Sequence, residues 1–197
     1  MDAHIRDAFS ELIKQSRLDR QLSHLYRDSI RYIEDPSEEI KLATVTRDGE
    51  AIQYIENPSE EIKLAAVTQY GGAIQWVADP SEEVQLTTVT QYGHMITYIL
   101  DPSEEVQLAA VMYCGCVIQY IQDPSERVQL AAVTQNGWVI EFIKNPSEAV
   151  QLAAVTQNGY AIQDIKDPSE AVKRAATQNG VERVTIRLKC VDLLKCP

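Results

Sequence analysis

The sequence predicts an all-α protein, an α-solenoid of 22-residue, two-helix repeats with N- and C-terminal helical caps. Two observations support this prediction. Prolines recur at intervals of 22 residues, at positions 36, 58, 80, 102, 124, 146 and 168. A glycine follows each of the first six of these prolines after thirteen residues. Self-similarity at a fixed period of this length is typical of repeat proteins, in which units stack because none can bury its apolar residues alone.

The repeats divide the chain of 197 residues into three predicted segments. Residues 1–28 are charged and amphipathic, and they are predicted to form the N-terminal cap. Residues 181–197 are predicted to form a mostly helical closing cap, although β-branched residues leave an extended start open. Between them, the array comprises a half-repeat, six full repeats and a degenerate repeat, at 29–35, 36–167 and 168–180. Helices pack about 8–10 Å apart, so the array predicts a rod or gentle superhelix on the order of 60–70 Å long.

The first half of each repeat has the signals of a helix of about three turns. An Asp or Asn precedes every proline and is predicted as the N-cap, with the proline at the first helical position. A glutamate follows at the third position, near the positive end of the helix dipole. The body, as in Val106, Leu108 and Ala110, is apolar on most of its circumference, which predicts close neighbours. The corner glycine is predicted to be the left-handed residue that ends the helix.

The second half of each repeat is predicted to be a shorter helix. In residues 160–167 the apolar Ala161, Ile162 and Ile165 have the helical spacing of three and four. A helix of about two turns is not stable alone, so it must be held by its neighbours. One aromatic residue recurs per repeat in this segment and is predicted to pack mainly between repeats. This aromatic row comprises Tyr54, Trp76, Tyr98, Tyr120 and Phe142, and it ends at Asp164.

Acidity is concentrated in one part of the chain. The net charge is −11, and residues 36–123 contain fourteen acidic but only three basic side chains. Direct nucleic-acid binding is disfavoured, because it needs a positive surface that displaces counterions. Two adjacent glutamates follow the serine in each of the first four repeats. Helix capping and solubility explain the first glutamate, but they do not explain why Arg127 replaces the second in the fifth repeat. These pairs form an acidic ridge: Glu38–Glu39, Glu60–Glu61, Glu82–Glu83 and Glu104–Glu105.

No residues in the sequence indicate an enzyme. The corner glycines recur every 22 residues and form no glycine-rich loop, which is unlike a phosphate-binding loop. The three histidines, His4, His24 and His94, suggest no nucleophile and base pair. No catalytic, cofactor-binding or metal-binding residue is therefore predicted. Zinc held by His94, Cys114 and Cys116 is the weaker alternative, because a fourth ligand is not visible.

The cysteines and the apolar runs bear on location. Cys114, Cys116, Cys190 and Cys196 form no disulfide framework and are predicted to be reduced thiols. No apolar run approaches the length of a membrane span. The N-terminal residues lack the apolar core of a signal peptide. We therefore expect a cytoplasmic protein that does not bind membranes.

The repeats differ most around the glycine corner. Stacking would place these residues along one edge of the array, here called the corner edge. Aromatic residues are enriched in binding hot spots. The alternative is that exposed corners vary in sequence without any function, but such variation would usually leave polar residues there. The predicted partner-binding residues on the corner edge are Tyr70, Tyr92, His94, Tyr113, Trp138 and Tyr160.

The unit Asp/Asn-Pro-Ser-Glu-x-Val-Gln-Leu-Ala-Ala-Val-Thr-Gln-Asn-Gly-x-Ala-Ile resembles a bacterial, viral and algal repeat family of unknown function. The likeness covers roughly residues 29–180, and it is loosely shared with HEAT-like helical repeats. The resemblance implies an α-helical array and no known chemistry. It assigns no functional residue.

The function that the sequence favours is binding of another protein, as an interaction module or an inhibitor. The alternative is an acidic mimic of nucleic acid, of the anti-restriction or anti-CRISPR kind, that blocks a DNA- or RNA-binding enzyme. Duplex DNA carries about one charge per 1.7 Å, whereas the acidic repeats would carry about one per 3–4 Å at normal helix spacing. A structural spacer without a partner is the second alternative.

Overall fold

The computed structural model describes residues 29–179. All regular secondary structure in this stretch is helical, with no β-strand, which confirms the predicted all-α repeat fold. The two predicted caps lie outside the described residues. One α-helix of nine or ten residues begins each repeat. These helices, α1 to α7, are Glu38–Arg47, Glu60–Gln69, Glu82–Gln91, Glu104–Tyr113, Glu126–Gln135, Glu148–Gln157 and Glu170–Gln178.

The second half of each repeat is a 3₁₀-helix, a tighter form of the short helix that the sequence predicted. With three residues per turn, Gly49, Ile52 and Ile55 lie on one side of the helix, and all three are buried. The threefold spacing of glycine and isoleucine therefore fits this tighter helix. The 3₁₀-helices, η1 to η7, are Ile30–Tyr32, Gly49–Tyr54, Gly71–Trp76, Gly93–Tyr98, Gly115–Tyr120, Gly137–Phe142 and Gly159–Asp164.

The N-cap of each α-helix is the serine after the proline, so the predicted Asp or Asn cap is wrong. Ser37 has an extended backbone, and its Oγ accepts a hydrogen bond from the Ile40 N–H at 3.4 Å. The two glutamates therefore occupy the first two helical positions rather than the third and fourth. Similar serine caps occur at Ser81, Ser103, Ser125, Ser147 and Ser169.

The Asp or Asn before each proline has a different task. All seven residues have a left-handed backbone, with φ between 43° and 52°. Asp and Asn tolerate this conformation better than other residues with a side chain. The chain thus turns at this residue from a 3₁₀-helix into the next α-helix. The seven are Asp35, Asn57, Asp79, Asp101, Asp123, Asn145 and Asp167.

The corner glycines are required for close packing, not for a left-handed turn. Gly115 and Gly137 do not have a left-handed φ, and the preceding residues already end the α-helices in an extended conformation. A Cβ on Gly115 would lie 2.7 Å from the carbonyl oxygen of Ala132, and one on Gly137 would lie 2.5 Å from that of Ala154. Consecutive repeats could not approach this closely with any other residue at the corner.

The described residues form two compact units, with the division inside α4, between Val106 and Gln107. In the first unit, α1 to α3 pack in a layer against a second layer formed by η2 to η4. In the second unit, α5 to α7 and η5 to η7 repeat this arrangement. The core of each unit lies between the two layers and uses the same repeat positions. Its largest fully buried side chains include Ile52, Ile74, Ile118, Ile140, Val67 and Val111.

Candidate functional site

A glutamine two residues before the corner glycine connects consecutive repeats. The Gln157 Oε1 accepts a hydrogen bond from the Gly137 N–H at 2.7 Å, and its Nε2 donates to the Gln135 carbonyl at 3.4 Å. Gln69 makes the same pair of bonds to Gly49 and Arg47. This position, which varies at the corner edge, is therefore a structural link in these repeats.

In several repeats the first glutamate of the α-helix is also part of an inter-repeat link. The Ser103 Oγ donates a hydrogen bond to the Glu82 Oε1 at 2.6 Å, and Ser169 does the same to Glu148 at 2.6 Å. The capping serine thus accepts from its own helix and donates to the preceding repeat. Sequence reasoning missed this second role, because the partners lie 21 residues apart.

At two of the helix starts, hydrogen bonds lower the pKa of the first glutamate. A hydrogen bond from Lys41 Nζ, and then one from Ser59, hold the pKa of Glu38 below its ordinary value of 4.5. Lys173, whose Nζ lies 2.8 Å from the carboxylate, likewise lowers the pKa of Glu170. The ionised form is therefore the one that stabilises these helix starts.

The structure places the whole acidic ridge on the surface, at the starts of α1 to α4. Two lysines offset part of its charge, because Lys41 lies 2.9 Å from Glu38 and Lys63 lies 3.6 Å from Glu60. The ridge is therefore less acidic in its first two repeats than the glutamate pairs suggest. All eight carboxylates are exposed: Glu38, Glu39, Glu60, Glu61, Glu82, Glu83, Glu104 and Glu105.

In the first unit, the predicted corner-edge residues are only partly accessible. Tyr70 and Tyr92 are 37% and 38% exposed, because the Tyr70 ring lies against Gly72 and the Tyr92 ring lies against Gly71. His94 is exposed and meets Tyr92 edge-to-face, with 6.3 Å between ring centres. Tyr70 makes no ring contact with them among the described residues.

In the second unit, the corner edge contains a stacked aromatic pair. Trp138 and Tyr160 occupy equivalent positions in consecutive repeats, and their rings lie 6.5 Å apart at an angle of 8°. Trp138 is 43% exposed. Tyr113 is 51% exposed, but it stands at the position that carries the linking glutamine in most repeats. The structure therefore brings two of these three residues together.

The aromatic row is more exposed than the sequence predicted. Tyr98 and Tyr120 are each 54% exposed and Phe142 is 42% exposed, so the prediction that they pack mainly between repeats is wrong. A helix with three residues per turn places these residues off the buried stripe of glycine and isoleucine. Tyr54 and Trp76 are half-buried. Tyr32, which the sequence prediction left out, extends the row and is 73% exposed.

Open grooves between consecutive 3₁₀-helices run beside the row. The groove in the second unit has a volume of about 580 Å³. An equivalent groove in the first unit has a volume of about 500 Å³. Each is bordered by a row aromatic, a left-handed Asp and the following proline: Phe142, Asp123 and Pro124 in one, Tyr54, Asp35 and Pro36 in the other.

An arginine of the chain itself occupies the groove of the first unit, which Lys41 also borders. The guanidinium of Arg31 lies 4.9 Å from the centre of the Tyr54 ring. Among the described repeats, only this groove has an arginine at that position. The equivalent residues in the other repeats are Gln53, Gln75, Thr97, Gln119, Glu141 and Gln163.

The prediction of free thiols at the fourth corner is wrong. Cys114 and Cys116 are joined by a disulfide across Gly115. In residues 29–179, His, Cys, Asp and Glu side chains form no group of three that could hold a metal ion. Cys190 and Cys196 lie outside the described residues, as do His4 and His24.

No family model, curated protein or solved structure matches this chain. The resemblance to a bacterial and viral repeat family therefore stays a prediction. Over the stretch that the structure describes, no helix is both long enough and apolar enough to cross a membrane. Function therefore has to be inferred from the geometry of the exposed surfaces.

Proposed function

We propose that this chain is a non-enzymatic protein-binding repeat protein, whose partner presents arginine side chains to the aromatic row. The observation that supports this best is the position of Arg31 over the Tyr54 ring, 4.9 Å from its centre. An aromatic face attracts a cation at this distance, with arginine the more frequent partner. A groove of this repeat therefore already accommodates a guanidinium.

The groove of the second unit has the ring and the carboxylate but no arginine, although Lys144 also borders it. In the second unit, Phe142 and Asp123 border the groove, and Gln119 stands where Arg31 stands in the first. A ring face and a carboxylate together are complementary to a guanidinium, which stacks on one and hydrogen-bonds to the other. An arginine from a partner would complete this groove as Arg31 completes the first.

The charge of the chain favours the same partner. Residues 36–123 carry fourteen acidic and three basic side chains, and the acidic ridge is exposed at the helix starts. Such a surface attracts a basic chain over distance and speeds its association. The aromatic rings then supply contact energy that charge alone does not give.

The corner edge extends this surface. The 3₁₀-helices η2 to η6 each have a corner-edge position near the start and a row residue at the end, as with Trp138 and Phe142 in η6. At about 2.0 Å per residue, the four steps between them span about 8 Å. A partner segment that binds the row is therefore within reach of the corner edge.

Synthetic peptides of alternating arginine and leucine test the proposal, with citrulline replacing arginine as the uncharged control. We expect the arginine peptide to bind and the citrulline peptide to bind more weakly. Tyr120→Ala with Phe142→Ala should weaken binding about fivefold or more, since each exposed ring contributes about 0.5–1 kcal/mol. Tyr120→Phe retains the ring face and should bind as the parent chain does. Equal binding of both peptides would contradict the proposal.

An acidic mimic of nucleic acid is the second candidate, supported by the exposed second glutamates of the ridge. It predicts a nucleic-acid-binding enzyme as the partner, and inhibition that depends on the ridge rather than the row. Lysine substitutions at Glu61, Glu83 and Glu105 should then abolish inhibition, while the ring variants retain it. A spacer would bind neither peptide and inhibit no such enzyme.

A further inference from the structure

A disulfide between Cys114 and Cys116 spans the fourth glycine corner, whereas a side-chain hydrogen bond spans three of the other corners. At the first corner, the Asp48 Oδ1 accepts a hydrogen bond from the Glu50 N–H at 3.1 Å. Asn136 and Asn158 accept the equivalent bonds from the residues two positions on, each at 3.1 Å. At these three corners the backbone therefore brings the positions one before and one after the glycine together.

In the fourth repeat these two positions are both cysteine. Their Cα atoms are 5.3 Å apart, which is within the range that a disulfide spans. Cys114 has the same extended backbone as Asn136 and Asn158, with φ of −152° and ψ of 118°. The disulfide therefore stands where the first, fifth and sixth corners have a side-chain hydrogen bond.

This disulfide adds little to the stability of the chain. A cross-link stabilises mainly by restricting the unfolded chain, and its effect grows with the number of residues enclosed. Here it encloses only Gly115. Both cysteines are half-buried, so a small thiol in solvent can reach them. A short, accessible disulfide of this kind has the features of a labile bond rather than of a structural one.

We propose that Cys114 and Cys116 form a redox-active site that exchanges with low-molecular-weight thiols and disulfides of the glutathione class. A thiolate attacks one sulfur of the pair, forms a mixed disulfide with it and releases the other cysteine as a thiolate. A second thiolate attacks the mixed disulfide and releases the second cysteine. Two thiols are thereby oxidised to one disulfide, and the protein disulfide is reduced to two thiols.

The redox state changes how this corner is held. In the reduced form, Cys114 has only a weak sulfur acceptor, where Asp48 and Asn136 have an oxygen. The reduced corner then has neither the covalent bond nor a strong hydrogen bond in its place. The inference does not depend on the proposed partner, because it concerns only the chemistry of the two sulfurs.

The test uses the full chain with Cys190→Ser and Cys196→Ser, so that only the pair at the corner reacts. The folded protein is equilibrated in glutathione buffers of graded composition, free thiols are trapped by alkylation, and masses are measured. We expect a closed pair in oxidised glutathione and two alkylated thiols in millimolar reduced glutathione. Free thiols in the oxidised buffer, or a pair that is reduced only after unfolding, would overturn the proposal.

Two further variants separate the exchange step from the corner geometry. With Cys114→Ser added, Cys116 should accumulate one glutathione as a mixed disulfide, and its failure to do so would show that the sulfur is not accessible. With all four cysteines replaced by serine, Asp48→Cys and Glu50→Cys should form the same disulfide at the first corner. A pair that stays reduced there would refute the role of the corner backbone.

Discussion

In most repeats one glutamine and one glycine determine how closely consecutive repeats approach. The Gln157 amide bonds to the Gly137 N–H and to the Gln135 carbonyl. The space at Gly137 is filled by the Ala154 carbonyl. Glycine is thus needed where the backbone of the following repeat approaches. Glutamine is needed where backbone groups of the preceding repeat require a hydrogen-bond partner.

A matched pair of glycine substitutions tests this explanation. Gly137→Ala places a Cβ 2.5 Å from the Ala154 carbonyl oxygen, which belongs to a packed backbone. We expect it to lower the free energy of unfolding by about 1–3 kcal/mol, the usual cost of overpacking.

Gly72→Ala is the control, because its Cβ would meet only the side chain of Tyr70, which is 37% exposed and can move. Chemical denaturation of both variants measures the difference. Equal losses would show that the backbone contact at Gly137 is not the reason for the glycine.

The sequence located the corner but not its cause. A glycine that must adopt a positive φ and a glycine that must admit a neighbour look the same in a sequence. Only the position of Ala132 or Ala154 in the next repeat distinguishes them. The disulfide was missed for a related reason, because the extended backbone at Cys114 could not be inferred from residue types.

At the scale of elements, the helices were predictable and their boundaries were not. Asp, Asn and Ser are all good N-caps, and each repeat offers two of them around one proline. The structure uses the first for a left-handed turn and the second as the cap, which moves each α-helix start by two residues. The choice between a short α-helix and a 3₁₀-helix was also open, because both fit an apolar spacing of three.

The capping serine can be tested at α6. Ser147→Ala removes the acceptor for the Val150 N–H and the donor to Glu126. We expect a loss of about 1 kcal/mol in the free energy of unfolding. Ser147→Thr retains both functions of the hydroxyl and should cost less, as measured by thermal or chemical denaturation. An alanine variant as stable as the parent would contradict the assigned cap.

The start of α7 should respond to acid. The pKa of Glu170 is lowered in the folded chain, first by the hydrogen bond from Lys173. A lowered folded pKa means that the stabilisation is complete above the ordinary value of 4.5 and is lost as the pH falls through the folded pKa. Glu170→Gln should therefore be less stable than the parent near neutral pH, and the difference should shrink in acid. Thermal denaturation across this range measures it, and a constant difference would contradict the assignment.

At the scale of the whole molecule, repetition creates recurring surfaces as well as the core. The array and its acidic first repeats could be predicted from period and composition alone. The exposure of the aromatic row could not, because Tyr98 and Tyr120 follow isoleucines that are buried in the same helices. Their accessibility depends on a 3₁₀ period that apolar spacing did not specify.

The concentration of acid in residues 36–123 predicts a salt-dependent interaction. Screening shortens from about 10 Å at 0.1 M salt to about 3 Å at 1 M. Binding of the arginine peptide should therefore weaken as salt is raised. The stacking of guanidinium on rings is short-range, so a residual affinity that depends on Tyr120 should remain. A salt-independent affinity would contradict the contribution of the acidic surface.

The register of the glutamine links has a consequence for how such a gene can change. Each link joins a glutamine to the corner glycine 20 residues before it, such as Gln135 to Gly115 and Gln157 to Gly137. Unequal crossing-over that removed residues 124–145 would bring Gln157 against Gly115, with the same donor meeting the same acceptor. Whole 22-residue repeats can therefore be gained or lost without a new interface between repeats. An insertion that is not a whole number of repeats would break the register of the glutamine links.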